Sequence, residues 1–317
     1  MTKQTDYDSP WKEIIEQFFP EFIAFFFPHI YADVDWSRSY EFLDKELQKV
    51  VRDSQTGRKR VDKLVKVWHK NGDEAWIAIH IEVQGQYERD FARRMFLYNT
   101  LLYNHYQRRI VSLAILSDDR PNWRPDSWGY ELWGCKIQLD FPAVKLLDYK
   151  DQWDELEQSD NPFAIVVMAH LQAQAAPPTS EQRRDAKFRL ARRLYERGYA
   201  RRRILELFRF IDWIMTLSPE LETEFQAAVT EFEEAHKMQY VTAIERKGIE
   251  QGIEQGIEQG IIQSTREDII EVLTLRFQEI PDELVAQLDE ISDPAQLKEL
   301  LKWAVIEPSL ETFTLRL

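Results

Sequence analysis

The chain has few of the residues on which several classes of protein depend. Cys135 is the one cysteine among 317 residues, which excludes an internal disulfide framework and a zinc cluster built on several thiolates. The apolar run from Phe18 to Pro28 is far shorter than the roughly 20 residues that a membrane-spanning helix needs. The segment from Met1 to Pro10 lacks the basic-then-apolar pattern of a secretory signal. We therefore expect a cytoplasmic protein that does not enter membranes.

Basic residues are also in the minority. The chain has 41 Lys and Arg against 55 Asp and Glu, a formal net charge of −14. This charge argues against indiscriminate electrostatic binding to nucleic acid, but it does not exclude a local basic site, because steering depends on where charge lies. One segment, from Ser180 to Leu217, is rich in arginine. Its arginines are expected either to bind DNA or to pair with the acidic remainder of the chain.

The order of apolar and polar segments predicts an α/β protein. A hydrophobic content of 44% and an aromatic content of 13% fit a folded chain of about two domains. A mixed sheet of about five strands is expected from segments at Arg60–His69, Ala75–Gln84, Ile110–Leu116, Glu131–Leu139 and Val144–Leu147. Flanking helices are expected at Pro10–Phe27, Ser39–Val51, Tyr87–Arg108 and Asn161–Ala176. Residues 1–176 would form this domain, and an all-helical region would follow it.

The helical region is expected to have two parts, an arginine-rich part at 177–245 and a repeat helix with a small helical domain at 246–317. In the repeat, Gly248-Ile249-Glu250-Gln251 recurs from Gly252 and from Gly256. A period of four predicts one long helix with adjacent stripes of glycine and isoleucine. Because each glycine weakens a helix by up to about 1 kcal/mol, a partner is expected to stabilise it. We therefore expect a homo-oligomer, a dimer, formed through the C-terminal helices.

A hairpin is expected around Asn71-Gly72-Asp73. The segment Ala75–Gln84 alternates between apolar and other residues, which is typical of a half-buried strand. A loop of three residues, Asn71 to Asp73, would pair Val65 with Ile79 and Val67 with Ile77, so that valines face isoleucines. In this predicted register Lys63 is the one misfit, because it faces Ile81.

The predicted register has a chemical consequence for two carboxylates. Asp62 and Glu82 would oppose each other directly, with their Cβ atoms about 5 Å apart. Like charges at that separation destabilise a sheet unless a cation lies between them, and Mg²⁺ or Mn²⁺ suits two carboxylates with water. The alternative is that both side chains are solvated on the polar face of the hairpin. His80, on the same strand, is expected to be a partly buried residue and not a ligand.

The segment from Phe42 to Leu116 resembles a known family. The resemblance is to the Rpn/YhgA-like family of recombination-promoting nucleases and transposase-like proteins, within the PD-(D/E)XK nuclease superfamily. The repeat and the helical tail also resemble C-terminal regions attached to such proteins, especially in cyanobacteria. The motifs that carry the resemblance are Phe42-Leu43-Asp44-Lys45-Glu46-Leu47, Val61-Asp62-Lys63-Leu64-Val65-Lys66-Val67, Ile79-His80-Ile81-Glu82-Val83-Gln84-Gly85 and Arg93-Arg94-Met95-Phe96-Leu97-Tyr98.

The resemblance implies a restriction-endonuclease-like core and metal-dependent cleavage of DNA. It implies that Asp62 and Glu82 are the acidic residues of the motif and hold Mg²⁺ or Mn²⁺. Gln84 stands where the superfamily usually has lysine, and an amide can orient a water but cannot stabilise hydroxide as a cation does. Lys66 is a candidate to replace that lysine, and Glu46 is a candidate additional acidic ligand.

Two further arginines complete the candidate site. Arg93 and Arg94 lie on the helix that follows the motif, where they either contact DNA phosphates or form the wet side of an amphipathic helix. The sequence therefore predicts a Mg²⁺-dependent DNA endonuclease that acts in recombination or in mobile-element biology. The alternative is a catalytically weak or inactive nuclease-fold protein that binds DNA or assembles with itself.

Overall fold

The computed structural model describes residues 8–43, 63–82, 90–235, 243–277 and 280–317. Its contacts divide the chain into two compact units, residues 1–242 and residues 243–317. The first unit is mixed α/β, with a five-stranded sheet and a separate two-stranded sheet. Among the helices within these ranges, not one combines the length and apolar character needed to cross a bilayer.

The central sheet of the first unit is mixed, with the strand order β1-β2-β3-β4-β7. β1, β2 and β3 pair in antiparallel fashion, whereas β3 with β4 and β4 with β7 are parallel pairs. β5 and β6 pair only with each other and form a two-stranded ribbon. The strands are β1 Glu41–Phe42, β2 Lys63–Trp68, β3 Glu74–Glu82, β4 Ile110–Leu116, β5 Ser127–Leu132, β6 Cys135–Asp140 and β7 Ala143–Lys145.

Helices cover both faces of this sheet. On one face α4 packs over Leu64 and Trp76, which cluster with its own Tyr98 and Leu102. On the other side aromatic rings of α1, α2, α6 and α8 form a core in which Trp11 lies 6.4 Å from Phe163 between ring centroids. The helices of the first unit are α1 Asp8–Gln17, α2 Phe19–Phe26, α3 Pro28–Asp33, α4 Phe91–Tyr106, α5 Trp153–Gln158, α6 Pro162–Ala175, α7 Glu181–Glu196, α8 Arg201–Ile214 and α9 Pro219–Ala235, with a 3₁₀ helix at Leu146–Gln152.

The second unit consists of four helices with their own apolar core. Ile269 and Leu273 pack with Leu288, Leu300 and Phe313, which are all buried. The whole Gly-Ile-Glu-Gln repeat lies within its first helix, as the four-residue period predicted. The helices are α10 Ala243–Phe277, α11 Asp282–Glu290, α12 Pro294–Ile306 and α13 Leu310–Thr314.

The predicted register of the β2–β3 hairpin is wrong by two residues. Val65 opposes Ile77 instead of Ile79, and Lys63 opposes Ile79 instead of Ile81. The loop has three residues, as predicted, but it starts at Lys70 instead of Asn71. The bond from the His69 N–H to the Asp73 carbonyl, 2.8 Å long, closes it. Gly72 supplies the positive φ of +94° that such a loop requires. A shift of two residues keeps every side chain on its predicted face and changes only its cross-strand partner.

Two other predictions at this sheet are also wrong. Glu41 and Phe42, which were expected in a helix, form β1 because they pair with Lys66 and Val65 and because Phe42 packs 5.6 Å from the Phe19 ring centroid. The segment Glu131–Leu139, which was expected to be one strand of the mixed sheet, instead contains the end of β5, a tight turn and most of β6. Trp133 and Gly134 both have positive φ, 52° and 84°, which is the geometry of a two-residue hairpin turn.

Candidate functional site at the carboxyl edge of the sheet

Three strands end together at one edge of the sheet. Glu82, the last residue of β3, pairs with Leu116 at the end of β4, and Leu116 pairs with Lys145 at the end of β7. Since neighbouring strands lie about 4.8 Å apart, this row spans roughly 10 Å. Leu116 packs against Phe91 of α4, so its side chain lies on the face of the sheet that α4 covers.

Most of the predicted metal and catalytic residues lie outside the described residues. This is true of Asp62, Glu46 and Gln84, while Glu82 is placed by its backbone as the final residue of β3. Within the described part of the chain, no three His, Cys, Asp or Glu side chains come close enough together to hold a metal ion. The pairing of Asp62 with Glu82 around Mg²⁺ or Mn²⁺ therefore stays a prediction.

Lys66 lies far from the carboxyl edge. In the observed register it opposes Trp76, six residues before Glu82, which corresponds to roughly 20 Å along β3. Its ammonium lies 5.3 Å from the centroid of the Trp68 ring, so it contributes to a cation–π contact. A side chain at that distance from Glu82 cannot replace the lysine that the superfamily usually has at the position of Gln84, although Lys66 stays a candidate for contact with nucleic acid.

Arg93 and Arg94 lie in the first turn of α4, which begins at Phe91. Arg93 is exposed, whereas Arg94 is half-buried and its guanidinium lies 5.4 Å from the centroid of the Phe91 ring. The two arginines therefore have different environments, and only Arg93 presents its side chain openly to solvent. Both stay candidates for phosphate contact.

The sequence did not reveal a buried ion pair at the same edge. The Lys145 ammonium bonds the Asp118 carboxylate and donates to the Trp123 carbonyl at 3.2 Å. Their side chains are 1% and 4% exposed, and the pair is thereby shielded from solvent. A signal was present, because Lys145 interrupts an apolar strand and Asp118 closely follows one. Lys145, the lysine in the same row as Glu82, is thus engaged by Asp118.

Behind this edge lies a buried histidine with a fixed tautomer. Trp11 Nε1 can only donate, and it lies 3.4 Å from His170 Nδ1, so that nitrogen is the acceptor. The other nitrogen, Nε2, then carries the proton and donates to the Ser117 carbonyl at 3.0 Å. Burial lowers the pKa of His170 from 6.5 to about 4. His170 is therefore neutral at pH 7 and ties α6 to the end of β4.

The arginine-rich segment is largely paired within the protein. The guanidinium of Arg183 is buried and donates to the carbonyls of Ala173, Ala176 and Ile214 at 2.8–3.2 Å. Other basic side chains of this segment form ion pairs, namely Arg184 with Glu224, Lys187 with Asp212 and Glu222, Arg197 with Asp160, Arg203 with Glu21 and Arg209 with Glu13. Of the two expectations for this segment, internal pairing is the one that the geometry favours.

In comparisons with known proteins, no protein-family model, curated protein or solved structure matches the chain.

Proposed function

We propose that this protein is a metal-dependent DNA endonuclease that hydrolyses phosphodiester bonds. The observation that carries the proposal is the position of Glu82, which ends β3 at the edge where the parallel strands β4 and β7 also end. Open α/β sheets bind their ligands outside the carboxyl ends of the strands. The proposal also draws on the resemblance of the hairpin motifs to the Rpn/YhgA-like nucleases.

The proposed roles follow from the chemistry of each side chain. Asp62 and Glu82 would hold Mg²⁺ or Mn²⁺, which prefer carboxylate oxygens. When bound, such an ion polarises the phosphate and makes the attacking water more acidic. Gln84 would orient that water through its amide, and Glu46 would supply a further carboxylate. Arg93, which is exposed on the first turn of α4, would bind a DNA phosphate.

The proposed enzyme assembles through its second unit. α10 holds the Gly-Ile-Glu-Gln repeat within one helix of 35 residues. Glycine at every fourth position lowers the intrinsic stability of that helix, and a second copy of α10 packed along it would compensate. We propose a homodimer formed by these helices, which would present two nuclease units to one DNA molecule.

A second candidate function is a nuclease-fold module that no longer cleaves DNA. Gln84 favours it, because an amide replaces the cation that the superfamily usually has at that position. Lys66 does not restore that cation, since it lies roughly 20 Å from Glu82 along β3. Such a module would act by binding DNA or by assembling with itself.

The deciding experiment is the cleavage of supercoiled plasmid by the purified protein in Mg²⁺, in Mn²⁺ and in EDTA. We expect metal-dependent nicking that Asp62→Ala and Glu82→Ala each reduce by at least about a hundredfold, because each removes a carboxylate that would hold the metal ion, and the ion supplies the charge stabilisation of the transition state. Glu155→Ala, which removes an exposed carboxylate on α5, is the matched control and should cut like the wild type.

Two results would contradict the proposal. Wild-type protein that cuts with neither metal would favour the non-catalytic module, and Gln84→Lys would then be the variant in which activity is sought. Full cleavage by both carboxylate variants would show that the nuclease site lies elsewhere. In either case the unfolding temperatures of wild type and variants are compared first, so that loss of the fold is not mistaken for loss of a catalytic group.

A further inference from the structure

The β5–β6 ribbon has two chemically different faces. In the observed pairing Trp128 opposes Leu139, Tyr130 opposes Ile137 and Leu132 opposes Cys135. Because side chains alternate along a strand, these six residues share one face, and none of them is charged. The remaining pairs, Ser127 with Asp140, Gly129 with Gln138 and Glu131 with Lys136, form the other face, which is polar.

Only the base of the apolar face is covered. The Trp128 ring lies 4.6 Å from the centroid of Phe96 on α4, and Leu139 packs against the cluster around Phe91. Toward the tip the covering ends, and Tyr130 is 49% exposed and Leu132 58% exposed. Trp133, in the turn itself, is 97% exposed. The apolar surface of the core therefore continues outward along the ribbon onto side chains that no described residue of the first unit covers.

The turn adds a second indication that this tip is not simply a connection. Trp133 has a φ of 52°, in the left-handed region that favours asparagine or glycine and is unfavourable for a bulky aromatic residue. The ribbon thus places its largest side chain at a position where the backbone conformation opposes it. The cost is compensated when the indole is buried against a partner.

We infer that the apolar face of the ribbon, from Tyr130 to Ile137 with Trp133 at its tip, is a docking surface for a second copy of this chain. The ribbons of two copies pack face to face about a two-fold axis. This contact is separate from α10 and does not depend on nuclease activity.

The chemistry of the face selects this occupant. Binding to nucleic acid is dominated by contacts between cations and phosphates, and the face carries no cation. An uncharged, pleated apolar surface is complementary to itself, and a two-fold contact needs only this one patch. It also avoids bringing charged groups of two chains with a net charge of −14 into the centre of the contact.

The exposed area is sufficient for such a contact. Tyr130, Leu132 and Trp133 together expose roughly 450 Å², a size at which apolar patches on soluble proteins are often functional. Two copies that cover these side chains would bury roughly 900 Å², and the neighbouring ribbon atoms bring the total near the 1,000 Å² or so that a specific interface requires. We therefore expect a modest, concentration-dependent association.

Cys135 provides a direct test, because it is the only cysteine of the chain and lies exposed on this face. Sheets that pack face to face lie about 10 Å apart, so the two Cys135 thiols of the dimer come within reach of a short bismaleimide. We expect the full-length protein to form covalent dimers with this reagent, in a yield that rises with protein concentration as the ribbon contact forms. The double variant Leu132→Ser, Trp133→Ser should lose the cross-link and weaken this contact at least about tenfold.

Leu315→Ser is the matched control, since Leu315 is 86% exposed but belongs to the second unit and lies outside α10. It should retain the cross-link, and all variants should unfold at the wild-type temperature. A dimer that does not cross-link through Cys135 would overturn the inference, because the copies would then meet through other surfaces such as α10. It would also be overturned by a protein that is monomeric at all concentrations, or by a double variant that loses DNA binding while its dimer is unchanged.

Discussion

Two regions of the first unit place polar and apolar groups in opposite ways. Around α6, α7 and α8 charged and titratable side chains lie inside, with Lys187 and His170 both buried. In the β5–β6 ribbon large apolar side chains lie outside, with Trp133 almost fully exposed. Each region departs from the usual distribution, in which charges are solvated and large hydrophobic groups are buried.

The difference between them is whether the unusual groups are satisfied within the chain. The Lys187 ammonium bonds Asp212 at 2.5 Å and Glu222 at 2.9 Å, and it lies over the Phe225 ring. The exposed part of the ribbon face has no comparable cover. Buried charged groups that pair within the chain belong to the packing of the unit, whereas exposed apolar groups without such contacts indicate a surface that acts outside it.

The largest effect is expected from the removal of a buried charge in the helical region. Arg183→Met removes three hydrogen bonds and leaves the carbonyls of Ala173, Ala176 and Ile214 with fewer donors, so we expect a loss of about 3–5 kcal/mol in the free energy of unfolding. Urea denaturation measures it. Arg189→Met, at an exposed position of the same helix, should change stability by less than about 0.5 kcal/mol. Equal losses of stability in the two variants would show that the buried arginine contributes no more to folding than the exposed one.

A somewhat smaller effect is expected from acid. His170 is protonated below pH 6.5 in the unfolded chain, but only below a pKa of about 4 in the folded protein. The unfolded state therefore binds more protons between these values, and stability falls as the pH is lowered through this window. The loss amounts to about 3 kcal/mol at pH 4.

The contribution of His170 is isolated by comparison with His170→Gln, in which the side chain cannot titrate but can still accept and donate. We expect the variant to lose about 3 kcal/mol less than the wild type when the free energy of unfolding is measured from pH 7 to pH 4. Parallel pH profiles for the two proteins would show that His170 does not contribute to the acid sensitivity of the helical region.

The smallest effect is expected at the tip of the ribbon. Trp133→Asn creates Asn-Gly, the preferred pair for a two-residue turn with positive φ at both positions, and removes no buried contact. We expect the free energy of unfolding to stay unchanged or to rise by up to about 1 kcal/mol, as measured by thermal unfolding. A clear loss of stability would mean that the indole stabilises the isolated chain. The ribbon would then resemble the helical region, in which the unusual groups are satisfied within the chain.

Local patterns predicted the individual elements better than their partners. The continuous apolar run Ile110–Leu116 predicted β4 with its observed bounds, and Asn161 with Pro162 predicted the start of α6. The hairpin register failed because a shift of two residues leaves every side chain on the same face, so the apolar pattern does not distinguish the two registers. Lys63, treated as a misfit, is buried in an ion pair with Glu16 at 2.9 Å. That partner is 47 residues away in the sequence, and a pattern confined to the hairpin does not contain it.

The candidate site was predictable only in outline. The alternation of Ala75–Gln84 predicted the strand that Glu82 ends, and the amphipathic pattern around Phe91 and Met95 predicted the helix that carries Arg93 and Arg94. The Asp118–Lys145 ion pair depends on strands β4 and β7 meeting side by side. Such a contact arises from the sheet topology, so the sequence around each residue shows an unusual charge but not that the two side chains pair.

The hydrogen bond from the Phe141 N–H to the Asp126 carbonyl, 2.8 Å long, has an architectural consequence. It joins the residue before the ribbon to the residue after it, so the chain leaves and re-enters the core at nearly the same point. The ribbon is thus an appendage inserted between β4 and β7 and not a member of the sheet. Residues 127–140 could be shortened or exchanged without a break in the sheet, which makes self-association and core folding separable modules of one chain.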